Sequence, residues 1–304
     1  MMHFSCRSVA LVAALALLAA VVTGCGSRSY EQPLAQADVV DAVRKSLASG
    51  AAEAEGSSGS AATATPTGTG WGSLTGTFLF EGPLPPVKLL PTGGKDAPTC
   101  NPDGIPDESL VVDPQTKGIK NLLVFVRKVS RINPAMTEAA SQPAVFDQKN
   151  CMFLSHVLPV EVKQTVILRN SEETVGHNTQ ISPPADTAVN PLLPPGGSQD
   201  YAFGRPQNVP VPATCSIHPW MKAYIIPRDN PYFAVTDAAG KFTIPNIPDG
   251  EELEIQLWHE SAAGARGALV VPGLTDGKGI IKRKLGENEA VDLGAIQLSA
   301  PAFQ

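Results

Sequence analysis

Apolar and polar positions along this chain fall into three regimes. Val9 to Val22 is an uninterrupted apolar run of 14 residues, preceded by the single basic residue Arg7 among uncharged neighbours. Residues 49–70 are dominated by Ala, Gly, Ser and Thr, a composition that cannot bury a core. From Trp71 onwards, short runs rich in Val, Ile, Leu and Phe alternate with clusters of Pro, Gly, Asn and Asp, which predicts an all-β protein. The predicted strands cover residues 75–80, 109–113, 121–127, 145–153, 157–162 and 165–170, with an ordered loop at 132–142. Leu122-Leu123-Val124-Phe125-Val126 is a continuous apolar run fit for a sandwich interior. Further on, residues 232–237, 241–244 and 253–258 read as strands joined by turns at Ala238-Ala239-Gly240 and Asn246-Ile247-Pro248-Asp249-Gly250. Residues 34–47 carry Val39, Val40, Val43 and Leu47 at helical spacing and predict a short amphipathic helix.

The first regime has the length of a signal-peptide core and is too short to cross a bilayer comfortably. It ends in Val22-Thr23-Gly24-Cys25, which resembles the bacterial lipobox, and the resemblance implies lipidation of Cys25 after removal of residues 1–24. Ordinary cleavage with Cys25 as an incidental thiol is the alternative. Acyl chains contribute about 0.8 kcal/mol per buried CH₂, so several would hold the protein on a membrane. Gly26 and Ser27 follow with no Asp, which by resemblance to bacterial sorting signals implies the outer membrane and a periplasmic address. Residues 25–70 then form a flexible tether, with an end-to-end distance of roughly 35–40 Å as a coil. A formal charge of −6 argues against a nucleic-acid partner.

The chemistry concentrates in Cys215-Ser216-Ile217-His218-Pro219-Trp220-Met221, with His177-Asn178 upstream after a strand-like run. A thiolate, two imidazoles and a thioether form the ligand set of a trigonal copper site with a weak axial Met. Zinc accepts Cys and His but gains little from Met. A c-type haem is excluded, because its attachment needs a second Cys before the His. With Cys6 in the signal, Cys25 under lipid and Cys215 on the metal, Cys100 and Cys151 remain, and an oxidising compartment pairs them as a disulfide. His156 reads as a structural hydrogen-bonding histidine, and His259 has no ligand cluster around it.

Val166-Ile167-Leu168-Arg169-Asn170, an acidic turn, Gly176-His177-Asn178 and then Cys-x2-His-Pro-aromatic-Met resemble the ligand segments of the cupredoxins, most closely those of the amicyanin type. The resemblance spans about residues 157–227 and implies a Greek-key β-sandwich holding one type 1 copper. It implies His177, Cys215, His218 and Met221 as ligands, and Asn178 as a hydrogen-bonding bridge between the two ligand loops; a plain turn residue is the other reading of Asn178. Lys163-Gln164 stands where the family often has Gly. Pro219 and Trp220, lying between ligands, read as an exposed docking patch for a redox partner such as a cytochrome or dehydrogenase; a Trp220 folded inward against the domain is the other reading. Residues 231–304 are similar to the carboxypeptidase regulatory-like (transthyretin-like) β-sandwich, and the pairing resembles exported methylamine-utilisation-like proteins. The expected organisation is therefore a copper domain over 71–230 and a smaller β-sandwich over 231–304. The expected role is one-electron transfer without catalysis. The alternatives are non-redox copper binding, storage, delivery or sensing, a thiol enzyme using Cys215 and His218, or a structural envelope protein.

Overall fold

The computed structural model of the chain describes residues 68–100 and 103–304. The signal segment, Cys25, the expected helix over 34–47 and all but residues 68–70 of the tether lie outside the described residues. What is described is nearly all β, with helix confined to short pieces such as Ala97–Cys100 and Pro134–Ala140. The second of these replaces the loop expected over 132–142. The strand expected at 109–113 is reduced to a bridge between Val112 and Ile119.

Two sheets frame the candidate ligands. In one, Ser198–Tyr201, Val166–Asn170, Ala144–Lys149 and Met152–Phe153 lie side by side in that order. In the other the order is Gln180–Ile181, Val211–Thr214, Lys222–Arg228 and Val157–Glu161. Phe146, Leu168, Ile181, Phe203, Ala223 and Ile225 are buried in one shared core. The turn between Val157–Glu161 and Val166–Asn170 places Lys163 at φ 68°, a left-handed conformation that Gly adopts without steric cost. That explains why a glycine suits this turn and why Lys163 departs from the pattern only locally.

The expected boundary at residue 230 does not separate the cores. Trp71–Glu81, assigned by sequence to the first domain, is the central strand of a sheet whose outer strands are Lys241–Pro248 and Ala290–Ser299. It runs antiparallel to the former and parallel to the latter. Its alternate residues Leu74, Phe78 and Phe80 point into the core, and the Phe78 ring stacks on Phe242 with centroids 5.7 Å apart. The facing sheet runs Phe233–Val235, Leu123–Val126, Glu252–Trp258 and Ile280–Lys284. The chain thus leaves this sandwich after Leu123–Val126, builds the two sheets that frame the candidate ligands, and re-enters at the neighbouring strand Phe233–Val235. Sequence order concealed this because strand patterning shows which face of a strand is apolar, and pairing partners are chosen by tertiary contacts.

The unalternating Leu122–Val126 run now has a cause. Leu122, Val124 and Val126 face the core of their own sandwich. Leu123 and Phe125 face outward, yet pack against Val157, Tyr224 and Ile226 from one of the sheets that frame the candidate ligands. Both faces are dry.

Beside that seam lies an ionic cluster. His156 Nε2 contacts Glu260, and its Nδ1 lies 3.6 Å from Glu108. Glu260 also accepts from Lys222 Nζ at 3.3 Å and Tyr224 OH at 3.1 Å. Burial opposes the charge on His156 and is the largest single influence, but the bonds to Glu108 and Glu260 outweigh it and lift its pKa to about 9. Burial likewise pushes Glu260 up, and His156 with Lys222 overcomes it, bringing Glu260 down to about 2. His259, buried with no comparable partner, is driven down to about 4 and stays neutral. Because the folded pKa of His156 exceeds its ordinary 6.5, its contribution is complete below pH 6.5 and disappears as pH rises through about 9. We expect up to about 3 kcal/mol of stability to be lost across that window, and His156→Gln to flatten the loss. Urea midpoints of both proteins on either side of the window check it; parallel pH profiles would refute it.

Candidate metal centre

The ligand loop is a tight connection between antiparallel strands. Val211–Thr214 pairs with Lys222–Arg228, so Thr214 faces Lys222 and the intervening seven residues must fold back on themselves. Cys215 N–H donates to Met221 O at 3.3 Å, and Met221 N–H donates to His218 O at 2.9 Å. Those two bonds turn the loop so that both its sulfur residues and His218 point inward. His177 arrives separately, on the short strand His177–Asn178 paired with Leu192–Leu193. Asn170, fully buried at the end of the preceding strand, positions that approach. Its Nδ2 donates to Val175 O at 2.9 Å, Leu193 O at 3.0 Å and Pro194 O at 3.2 Å.

The two imidazoles and the thiol converge. His177 Nδ1 and His218 Nδ1 are 2.9 Å apart, and Cys215 Sγ lies 4.0 and 3.9 Å from them. A point equidistant from all three is about 2.1 Å from each, within the range of about 2.0–2.3 Å at which imidazole nitrogen and thiolate sulfur bind a metal ion. Exposure is 0% for His177 and 2% for Cys215, His218 and Met221, so water does not compete for the centre. Cys215 is the free cysteine among the described residues.

The far ring nitrogens face acids. His177 Nε2 lies 3.4 Å from Glu172 Oε1, and His218 Nε2 lies 3.4 Å from Asp96 Oδ2. With each Nε2–H donating to its carboxylate, the two Nδ1 atoms 2.9 Å apart would both present lone pairs to the space between them. Lone pairs that close repel unless a cation, a proton or a metal ion, sits among them. Burial, the largest influence, pushes the pKa of His177 below its usual value, and the neighbouring His218 adds to this against the pull of Glu172. Two ring nitrogens and a sulfur so placed are a donor set that suits a soft metal ion.

Asn178 bridges the two ligand segments. Its Oδ1 accepts from Ser216 N–H at 2.8 Å, Ser216 Oγ–H at 2.9 Å and Cys215 S–H at 3.4 Å. Of the residues expected at the docking patch, Pro219 is exposed, but Trp220 is half-buried. Its Nε1–H donates to Cys151 O at 3.2 Å, and its ring centroid lies 5.0 Å from that of His218. The indole packs beside His218 and bonds to the Cys151 backbone, so of the two readings of Trp220 the inward one holds. The bond between Cys100 and Cys151 is formed. His156 lies in the ionic cluster described above, between Glu108 and Glu260. Glu172 sits in the acidic turn visible in the sequence; Asp96 carried no sequence signal at all.

No family model and no curated protein matches the chain. Among solved structures, a copper-containing nitrite reductase from Thermus scotoductus SA-01 shares 24% identity over 28% of this chain, with a TM-score of 0.26. The chain covers 22% of that enzyme's length. Amicyanin from Paracoccus versutus aligns at 15% identity over 34% of this chain and 97% of its own, also at 0.26. A point mutant of amicyanin in its reduced Cu(I) form aligns at 20% identity over 34% and 98%, at the same TM-score. What fold and geometry define together is an all-β protein with a buried His–Cys–His cluster. A methionine closes the ligand loop.

Proposed function

We propose that this chain binds one copper ion through His177, Cys215 and His218, with Met221 as the weak axial ligand, and transfers single electrons in the cell envelope. The observation that carries this reading is the convergence of two ring nitrogens and one thiol on a buried point about 2.1 Å from each. Thiolate, imidazole and thioether are soft donors that suit copper in both oxidation states. When bound, copper supplies the one-electron couple. The chain's part is to hold the ligands still: Asn178 ties the segments together, Asn170 fixes the approach of His177, and the dry core excludes water. A lipid anchor at Cys25 and the tether over 25–70 would let the folded part reach a redox partner protein from the outer membrane. The chain turns over no substrate in this reading. The sandwich built from both ends of the described chain, read as carboxypeptidase regulatory-like, serves as the support.

One observation favours a second reading, copper holding or delivery without redox work: both imidazoles are buried, so no ligand edge meets solvent. A fast electron self-exchange rate would decide for the carrier. Full-length protein given one equivalent of Cu(II) should become intensely coloured through thiolate-to-copper charge transfer, and Cys215→Ser should abolish the colour. A colourless protein that retains copper overturns the assignment.

A further inference from the structure

Asp96 reaches His218 from outside the sheets that frame the candidate ligands. The two are 122 residues apart in sequence, yet Asp96 Oδ2 and His218 Nε2 are 3.4 Å apart. Asp96 starts the turn that becomes Ala97–Cys100: its carbonyl accepts from Thr99 N–H and Cys100 N–H, each at 2.9 Å. The surrounding excursion pairs its own short strands, Leu89–Leu90 with Ile105–Pro106. What fastens it beside the metal centre is the Cys100–Cys151 bond. Both sulfurs of that bond and a ring nitrogen of His218 lie within 4.8 Å of one another. On the other side, Cys151 N–H donates to Glu172 Oε1 at 2.6 Å, the same oxygen that faces His177. One disulfide therefore underlies the carboxylate contacts of both histidines.

We propose that Asp96 is a positioning residue for His218 and that the Cys100–Cys151 bridge keeps it in place. This rests on reading His218 as a copper ligand. Asp96 holds the ring proton on Nε2, so that Nδ1 presents its lone pair to the centre, and its charge makes the imidazole a stronger donor. The buried ring, at 2% exposure, has no solvent to perform this service. Reduction of the bridge by a dithiol, which gives up two electrons and two protons and closes to its own disulfide, leaves two thiols and frees the 96–100 turn. His218 then loses its fixed tautomer without any change in the sheets.

The test uses uniformly ¹⁵N-labelled full-length protein. In the metal-free state, at a pH where the ring is neutral, long-range ¹H–¹⁵N correlation reads the His218 tautomer directly. The wild type should show one tautomer, protonated at Nε2. Asp96→Ala and the dithiothreitol-reduced wild type should each show a mixture, and Asp96→Glu should restore the single form. In competition titrations Asp96→Ala should then bind Cu(II) about 10-fold or more weaker, the usual effect of removing such a partner. A pure Nε2–H ring in Asp96→Ala, with Cu(II) affinity unchanged, overturns the role of Asp96. A wild-type tautomer surviving reduction overturns the role of the bridge. If the wild type takes up no Cu(II), the copper reading fails and the tautomer result alone decides on Asp96.

Discussion

A fragment comprising residues 231–304 is expected to stay unfolded. Its strands Lys241–Pro248 and Ala290–Ser299 do not pair with each other; each pairs with Trp71–Glu81, which the fragment lacks. Glu252–Trp258 similarly loses Leu123–Val126 from one side. The missing segments contribute Leu74, Phe78, Phe80, Leu122, Val124 and Val126 to the core, all nearly or fully buried. Burying each such side chain is worth about 1.5–3 kcal/mol. Six of them come to about 9–18 kcal/mol, as large as the roughly 5–15 kcal/mol by which a domain is stable. The same fragment, read from sequence, looked like an independent sandwich, so the experiment separates the two organisations. Amide dispersion in a ¹H–¹⁵N spectrum and a thermal melt are the readouts. A well-dispersed spectrum with a cooperative transition would show that the N-terminal strand is dispensable.

Replacing Cys100 and Cys151 together by Ala is expected to cost about 4 kcal/mol, because the bridge spans a sequence separation of 51 and removes that much loop entropy from the unfolded chain. Alanine avoids burying two hydroxyl groups where Cys100 and Cys151 are 5% and 0% exposed. For a chain of this size the loss corresponds to a fall in Tm on the order of 10 °C. Urea unfolding of oxidised wild type against the double variant measures it. An unchanged midpoint would mean that the excursion is held by its packing alone. The two proteins should also differ at the metal centre, since Trp220 donates to Cys151 O and Asp96 depends on Cys100 for its place.

The sequence by itself determined what acts over a few residues. Cys215, His218 and Met221 fall on one loop because their spacing leaves them no alternative, and the Asn170 to Asn178 stretch announces a strand, a turn and a candidate ligand. Short apolar runs marked residues 75–80 and, with alternation, 253–258 as strands, and these lie within Trp71–Glu81 and Glu252–Trp258. The cysteine count singled out Cys100 and Cys151 once Cys215 was assigned elsewhere, and those two are joined.

Only the tertiary structure decided which distant pieces meet. That Trp71–Glu81 belongs with Ala290–Ser299, that Trp220 turns inward to Cys151, and that His156 is charged between Glu108 and Glu260 all depend on contacts across tens to hundreds of residues. Asp96 is the sharpest case: an acid in a Pro- and Gly-rich excursion has no periodicity to betray it, and a disulfide brings it to His218. The physical reason is the range of the forces involved. Propensity and patterning are written into neighbouring residues, whereas strand pairing, burial and ion pairing are settled by which complementary surfaces the folded chain brings together.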